Sequence, residues 1–550
     1  MSVKFFALGG LDENGKNCYI IENDNQIFIV NIGAKVPIST SYGVDTITPD
    51  ITYLIKNKSK IAGLFITDTK NDSFSALPWF LMQIPEIKIF TSPFNYSIVQ
   101  ERISKYQLDL SKVELQTLTK EVKFKDTVVK PFNLFGSIPG SLGFNFETKQ
   151  GSIIFMNNFV VAESPIFGPT NLAWIKKSIS KNLLALVIDS GNVKYQGSAI
   201  DKIFLPTEIK EKIKKVNPNE RIVIAAYEEE MTTLLEVLEI ATETSRPIIV
   251  YSRSLFSQLN LLKNEYFVKK QPFLGKINLV NYKKMNEIDN AIVFVTSTVE
   301  VLYERFFRIV DDQDTTLKLK SSDNIFFIAP PINGIESQAA SLLDKVAHIT
   351  RKLTVVSESQ RHQHRPAYND IREVVSALKP KYVIPVQGLF RNMINVTNAI
   401  KDLGYNESTS IVLQNGKIAE FIKSTLKSRD KKIKEIGDQI VDGFGLGDVS
   451  SEVIFEREKL ARDGVISIAA LVDKEKNLLG KIHVDYAGLA DKEERSELDE
   501  LIKTTFAEQY YDNLDQKYND LQKTLRNRIR KRIFKKTQKE PSIVITLYRI

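Results

Sequence analysis

Leu64-Phe-Ile-Thr-Asp68-Thr-Lys70-Asn-Asp72-Ser73-Phe-Ser-Ala-Leu-Pro78-Trp79 joins two kinds of local pattern. Ile61 to Thr67 is an apolar run of strand type, and Phe74 to Gln83 has helical apolar spacing. Between them lies a short polar loop in which Asp68 and Asp72 flank Lys70. A loop that leaves the carboxyl end of a strand and enters a helix is where α/β folds place their chemistry. Two carboxylates on one loop also need a cation, because buried unpaired they cost several kcal/mol.

The rest of the chain narrows what that cation is. Its 550 residues allow about three to four domains of roughly 150 residues each. A hydrophobic content of 43% suffices for packed cores. The apolar stretch near Phe5 is short and runs into Gly9-Gly10, so no signal peptide is expected. No segment approaches the roughly 20 apolar residues of a membrane span, and a cytoplasmic protein is expected. Cys18 is the single cysteine, which excludes an internal disulfide and a cysteine-based zinc cage. The four histidines are His348, His362, His364 and His483. With none in the first 347 residues, the amino-terminal part lacks the means for a usual catalytic zinc site.

Alternating strand and helix patterns fill the chain. Phe5 to Leu8, Cys18 to Ile21 and Gln26 to Val30 read as strands, with a turn at Asn23-Asp24-Asn25. Ile87 to Thr91 and Leu184 to Ile188 are further strands, and Asn95 to Tyr106 is a helix. A new α/β pattern begins at about Pro206, with strands at Ile222–Ala226, Pro247–Tyr251, Ala291–Thr296 and Asn324–Ala329 and a helix over Met231–Ala241. Ser424 to Asp438 is polar and charged and reads as a linker. The last segment has strands at Val465–Leu471 and Ser542–Tyr548 around a helical region. There Leu521, Leu525, Ile529 and Ile533 mark one apolar face, open either to an association partner or to the segment's own core.

The words around the Asp68 loop, Leu64–Thr67 and Ala76–Trp79, resemble the first metal motif of the metallo-β-lactamase fold, and in particular that of the β-CASP ribonucleases of the RNase J family. The family loop T-H-x-H-x-D-H is matched by Thr67-Asp68-Thr69-Lys70-Asn71-Asp72-Ser73, so Asp68, Lys70 and Ser73 occupy histidine places and Asp72 alone keeps a family ligand. H-S-I-P-D-S is matched by Gly136-Ser137-Ile138-Pro139-Gly140-Ser141, T-G-D-F by Met156-Asn157-Asn158-Phe159, and P-I-H-G-E by Pro385-Val386-Gln387-Gly388-Leu389. The resemblance therefore implies that Gly136, Asn158 and Gln387 replace two histidines and a bridging aspartate. S-G-H aligns with Gln363-His364-Arg365, D-S-T with Asp189-Ser190-Gly191, and D-x-G with Asn31-Ile32-Gly33. Gly9–Asn17, Gly43–Leu54, Gly445–Val449 and Lys535–Ile545 match further family segments, so the likeness spans nearly the whole chain. Framework residues survive, including Ser137-Ile138-Pro139, Phe159, Pro385 and Gly388, while the ligands are gone.

The resemblance implies an α/β architecture. A metallo-β-lactamase αββα sandwich comes from residues 1–205 and 349–423, with a β-CASP domain inserted at 206–348. A linker follows at 424–438, and a small α+β carboxyl-terminal domain, for association or RNA contact, at 439–550. The function it implies is that of a non-catalytic RNase J-like subunit that pairs with an active RNase J-type paralogue, or with itself, and supports RNA binding. The alternatives are a residual metal-dependent ribonuclease with an unusual site, and a scaffold in another assembly without RNA contact. The family uses two zinc or manganese ions; none is expected here. Asp68 and Asp72 either hold a hard cation such as Mg²⁺ or are neutralised by Lys70 standing in the metal place. Arg361, His362, His364 and Arg365 form a basic segment that is a candidate phosphate contact. Arg526, Arg530 and Lys531, among the cations of the last helical region, are either a polyanion surface or a solvated face. Glu228-Glu229-Glu230 falls where the family has a polar segment leading to an RNA-facing histidine, here Thr232, and a triple acid there is expected to repel a phosphate chain.

Overall fold

The computed structural model describes residues 2–35, 44, 46–106, 108, 110–299, 301–332, 334–442, 445–446, 451–489 and 492–549. Parts of two family-like stretches, Gly43 with Asp45 and residues 447–449, lie outside the described residues. The chain divides into two compact units, one holding the described residues to Gln439 and one chiefly those from Ile440 onward.

The first unit is built on two facing sheets. One has eight strands in the order Thr425–Ser428, Ala419–Ile422, Val3–Gly9, Cys18–Asn23, Gln26–Val30, Ile61–Phe65, Ile87–Thr91, Val113–Thr117. The other has six: Tyr382–Val386, Leu183–Asp189, Gly151–Met156, Leu142–Thr148, Val128–Asn133, Val122–Lys123. Alternate residues of both sheets point inward, and the layer between them is rich in aromatic rings. Phe65 sits at its centre, with the rings of Phe28, Phe90, Phe124, Phe144 and Phe146 all within 6.2 Å of it, centroid to centroid. The outer face of the six-stranded sheet is covered by the helices Leu172–Ser178, Tyr368–Leu378 and Phe390–Ala399, through Ile175, Ile371, Val375 and Val396.

A third sheet, all parallel, is inserted between Leu183–Asp189 and Tyr382–Val386. Its order is Leu279–Val280, Ile248–Val250, Ile292–Ser297, Ile222–Tyr227, Asn324–Phe327, Leu353–Val355. Arg221 and Asp323 anchor its inner strands with two charge-assisted bonds of 2.9 and 2.6 Å, both side chains fully buried. The insert runs past its expected end at residue 348, because Leu353–Val355 pairs with Asn324–Phe327 as an edge strand.

Two other expectations change. The helix expected over Phe74–Gln83 is two pieces, Asn71–Phe74 and Leu77–Gln83. The Ala76 amide donates to Ile32 O instead of continuing the first helix, and Pro78 has no N–H to bridge the break. The segment 424–438, expected as a linker, contains the edge strand Thr425–Ser428 of the eight-stranded sheet. Lys423 and Ser424 take positive φ angles of 51° and 55° to make the hairpin, and Leu426 turns onto the core while Lys427 faces water. The lysine-rich composition hid that alternation.

The second unit pairs Val465–Val472 antiparallel with Leu478–Ala487 and parallel with Ser542–Arg549. The helices Lys492–Tyr511 and Tyr518–Thr537 cover one face of this sheet. Leu521, Leu525, Ile529 and Ile533 all lie in that core with Ile466, Phe506 and Ile545, so the apolar face is used internally and is not open to a partner. Replacing Phe65 by alanine empties the centre of the aromatic layer. We expect a loss of about 3–5 kcal/mol, measured by urea unfolding.

Candidate functional site

Four chain segments leave the same end of the sandwich and converge. They follow the strands Ile61–Phe65, Gly151–Met156, Leu183–Asp189 and Tyr382–Val386, the last three being parallel neighbours. Asn158 and Gln387 are each the second or first residue past their strand and both adopt the left-handed conformation, φ 50° and 60°. That conformation is strained for a glutamine and persists only where surrounding contacts hold it. The Asp68 loop is clamped from below by Asn31–Ala34: Ile32 N donates to Ser73 O at 2.8 Å and Ala34 N to Asn71 O at 3.1 Å. A Cβ on Gly33 would fall 1.7 Å from the Asp72 carbonyl oxygen, so only glycine lets the two segments meet.

The substituted residues at this centre are bonded to one another. Asn158 Nδ2 donates to Asp68 Oδ2 at 3.1 Å and to Ser73 Oγ at 3.4 Å. Gln387 Nε2 donates to Asp72 Oδ2 and to Asn158 Oδ1, both at 2.8 Å. Asn157 Nδ2 donates to Gln387 Oε1 at 3.3 Å. Asp68 also accepts from Thr67 Oγ1 at 3.0 Å and from the Lys70 amide at 2.9 Å. Side-chain amides thus run as a chain from Asp68 through Asn158 and Gln387 to Asp72. Burial and the nearby Asp72 charge push the Asp68 carboxyl above its usual range, with the Asn158 bond working against them.

Lys70 is buried, but its ion-pair partner is not on its own loop. Its Nζ lies 3.9 Å from Glu230 Oε1, at the start of the helix Met231–Glu243 in the inserted α/β part. Burial lowers the Lys70 pKa, and the surrounding carboxylates, Glu230 first and then Asp72, Glu229 and Asp68, outweigh it and raise the value overall. Glu230 also takes Arg361 Nη2 at 2.7 Å, and Glu229 accepts the Asn71 amide at 2.6 Å. Glu228 is tied to Ser252 Oγ at 2.8 Å, and burial raises its pKa. The expected repulsion of a phosphate chain by these three acids is therefore replaced by inward pairing. Glu229 and Glu230 fasten the insert to the Asp68 loop. The sequence carried no signal for this, because Lys70 and Arg361 both stand in polar stretches.

The basic segment 361–365 is likewise turned inward, which corrects its reading as a phosphate contact. Arg361 is 1% exposed and bonded to Glu230, and its Nη1 reaches Ile328 O at 3.3 Å. His364 is fully buried, its Nε2 2.8 Å from Phe135 O, and burial holds its pKa at about 4, so it stays neutral near pH 7. Arg365 Nη2 pairs with Asp189 Oδ1 at 2.5 Å and also donates to Gln387 O. Burial lowers the Arg365 pKa, and Asp189 reverses that. His362, mostly buried, stacks on Tyr195 with ring centroids 3.7 Å apart. Arg526 and Arg530 flank the buried face of Tyr518–Thr537 and are half-buried, while Lys531 is exposed.

The donors present do not fit a two-metal centre. Gly136 has no side chain, and a Cβ there would fall 2.2 Å from Ser141 Oγ and 3.1 Å from Asn158 O, so a histidine has no room. Asn158 and Gln387 present N–H groups, not lone pairs, to Asp68 and Asp72. Among the described residues no three His, Cys, Asp or Glu side chains are placed to share a metal ion.

Comparison with known proteins agrees with this architecture. Residues 219–346 match the family model of the ribonuclease J β-CASP domain, and residues 452–550 that of the ribonuclease J C-terminal domain. The chain is 29% identical over 521 residues to an uncharacterized protein (MG423) of Mycoplasma genitalium, covering 91% of this chain and 90% of that one. It is 25% identical over 553 residues to ribonuclease J2 of Bacillus subtilis, covering 99% and 98%. A crystal structure of an Enterococcus faecalis protein of unknown function superposes with a TM-score of 0.52 at 11% identity, covering 76% of this chain and all of that one. That likeness concerns the fold alone. The two facing sheets with an inserted parallel sheet form a metallo-β-lactamase/β-CASP fold. The inserted part and the carboxyl-terminal part match domains of the ribonuclease J family, and the chain is similar to ribonuclease J2 over nearly its whole length.

Two substitutions test this centre. Gln387→Ala leaves Asp72 and Asn158 without their shared donor, and we expect a loss of about 1–3 kcal/mol in chemical unfolding. Lys70→Met leaves buried carboxylates short of a cation, and we expect a loss on the order of 3 kcal/mol at neutral pH. Because the folded-state pKa of Lys70 lies above its ordinary 10.5, this stabilisation is fully present below that value and is lost as pH rises through the folded pKa. Parent and variant should therefore converge in strong alkali.

Proposed function

We propose that this chain is a non-catalytic ribonuclease J-type subunit that associates with an active ribonuclease J-type partner, or with itself, and helps hold RNA. The single observation that carries this reading is the amide chain from Asp68 to Asp72, which satisfies the carboxylates without metal. A two-metal hydrolase activates its water through both ions, so a centre that holds neither lacks the nucleophile. Asp68, Lys70, Asp72, Ser73, Gly136, Asn158, Arg365 and Gln387 are in this reading structural residues.

Association is supported by the open face of the carboxyl-terminal sheet. Leu479, Leu471 and Tyr548 lie side by side across its three strands, and Val544 is four residues before Tyr548 on the same face. They are 38%, 41%, 57% and 51% exposed, an apolar patch of the kind that marks a protein contact. RNA contact is supported by the exposed Lys523, Arg528, Lys531 and Lys535 of the helix Tyr518–Thr537. Arg532 and Lys536 there are partly neutralised by Glu508 and Glu497. Among the described residues no helix is long and apolar enough to cross a membrane.

The proposal has two direct tests. The purified chain supplied with Mn²⁺ should hydrolyse neither 5′-phosphorylated nor internally labelled RNA. The triple variant Asp68→His, Lys70→His, Ser73→His should stay inactive, since positions 136, 158 and 387 still fail; metal-dependent cleavage by either protein overturns the reading. Leu471→Lys with Tyr548→Lys should lower the assembly mass in light scattering while leaving the circular dichroism intact. An unchanged mass removes that face from the account.

A further inference from the structure

In an open parallel sheet, ligands bind in the crevice outside the carboxyl ends of the strands. The inserted sheet has such a crevice of its own, lined by no residue of the sandwich. It is a polar cavity of about 300 Å³ beyond two parallel neighbours, Ile248–Val250 and Ile292–Ser297. Tyr251, the first residue past one strand, and Ser297, the last of the other, both line it. The helix Leu302–Val310 supplies Arg305 and Arg308, one turn apart, and the turn after that helix supplies Asp314. The volume is at the lower end of small-molecule sites.

Two of the charged groups here are held in place by the fold. The Arg305 guanidinium lies 4.3 Å from the Tyr251 ring centroid and donates through Nη1 to Thr296 O at 2.7 Å. The Tyr251 hydroxyl donates to Asp314 Oδ2 at 2.9 Å. Asp314 Oδ1 accepts the Thr316 and Leu317 amides at 2.8 and 2.9 Å. Burial raises the Asp314 pKa, and the bonds from Leu317, Thr316 and Tyr251 outweigh it and lower the value overall, so the carboxylate is charged at neutral pH. Arg308 is exposed, and among the described residues neither arginine forms an ion pair with a carboxylate.

The set is two cations and one anion around one small cavity. A phosphate dianion would meet Asp314 as a like charge. A plain carboxylic acid would leave Asp314 unanswered. A ligand with one negative and one positive group close together answers both, with a charge-assisted bond at each end. The simplest such molecule is an amino acid, whose carboxylate and ammonium share one carbon. We propose that this cavity binds a free α-amino acid, its carboxylate at Arg305 and Arg308 and its ammonium at Asp314. A residue inside a peptide lacks both charges, so the ligand is the free molecule. None of the groups of the Asp68 centre lines the cavity, and the site stands whether or not the chain is catalytic.

Calorimetric titration of the full-length chain with each of the standard amino acids tests this. At least one should bind saturably with a Kd below about 10 mM. Its N-acetyl derivative lacks the ammonium and its carboxamide lacks the carboxylate. Each should bind about tenfold or more weakly, the scale of one lost hydrogen bond to a charged group. Arg308→Ala, at an exposed position that the core does not use, should weaken binding on the same scale. Asp314→Asn keeps an oxygen for the Thr316 and Leu317 amides and removes the charge. It should weaken the amino acid and abolish the preference over the N-acetyl form. No amino acid binding in that range overturns the proposal. So does an N-acetyl form that binds as well as its parent, or inorganic phosphate binding more tightly than every amino acid. Unchanged affinity in Arg308→Ala overturns it as well, since the ligand then sits elsewhere.

Discussion

Two amide groups hold two carboxylates apart at the heart of this protein. Asn158 donates to Asp68, Gln387 donates to Asp72, and Gln387 also donates to Asn158. Asp68 is buried and Asp72 half-buried beside it, and two such acids without a compensating donor or counter-charge favour protonation and destabilise the fold. Amide N–H groups answer that need with partial charge and fixed geometry. Both residues sit in left-handed turns just past two parallel strands of one sheet, Gly151–Met156 and Tyr382–Val386, which flank Leu183–Asp189.

The inserted sheet depends on the same centre. Glu229 and Glu230 reach from the start of the helix Met231–Glu243 to the Asn71 amide, Lys70 and Arg361. Lys70 therefore belongs to two networks, close to Asp68 and Asp72 in field and to Glu230 in contact. A cation from the chain itself occupies the neighbourhood in which related folds use metal, and it ties two parts of the unit together. Arg365, paired with Asp189 and the Gln387 carbonyl, closes the remaining side.

Much of this was legible in the sequence. The strand patterns around Phe65, Leu184 and Ile224 marked strands of the sandwich and of the insert, and the resemblance carried by the motifs at Asp68, Asn158 and Gln387 implied the sandwich and its centre. Periodicity is local, and so it carried. Lys70 was expected to join the two loop aspartates, and its contact is instead Glu230, 160 positions along the chain. Arg361, His364 and Arg365 read as a basic surface because charge in a sequence says nothing of direction; buried acids elsewhere turned them inward. Leu426 was lost among lysines, and the four-residue spacing of Leu521 to Ile533 could not say whose core it joins.

The central claim is that side-chain amides, not metal ions, satisfy Asp68 and Asp72. Elemental analysis of the chain purified without chelators tests it most directly. The account predicts less than about a tenth of an equivalent of zinc or manganese per chain, unchanged by Asp72→Ala, as donors lacking a third anionic or imidazole ligand would give. About one or more equivalents, lost on Asp72→Ala, would contradict it.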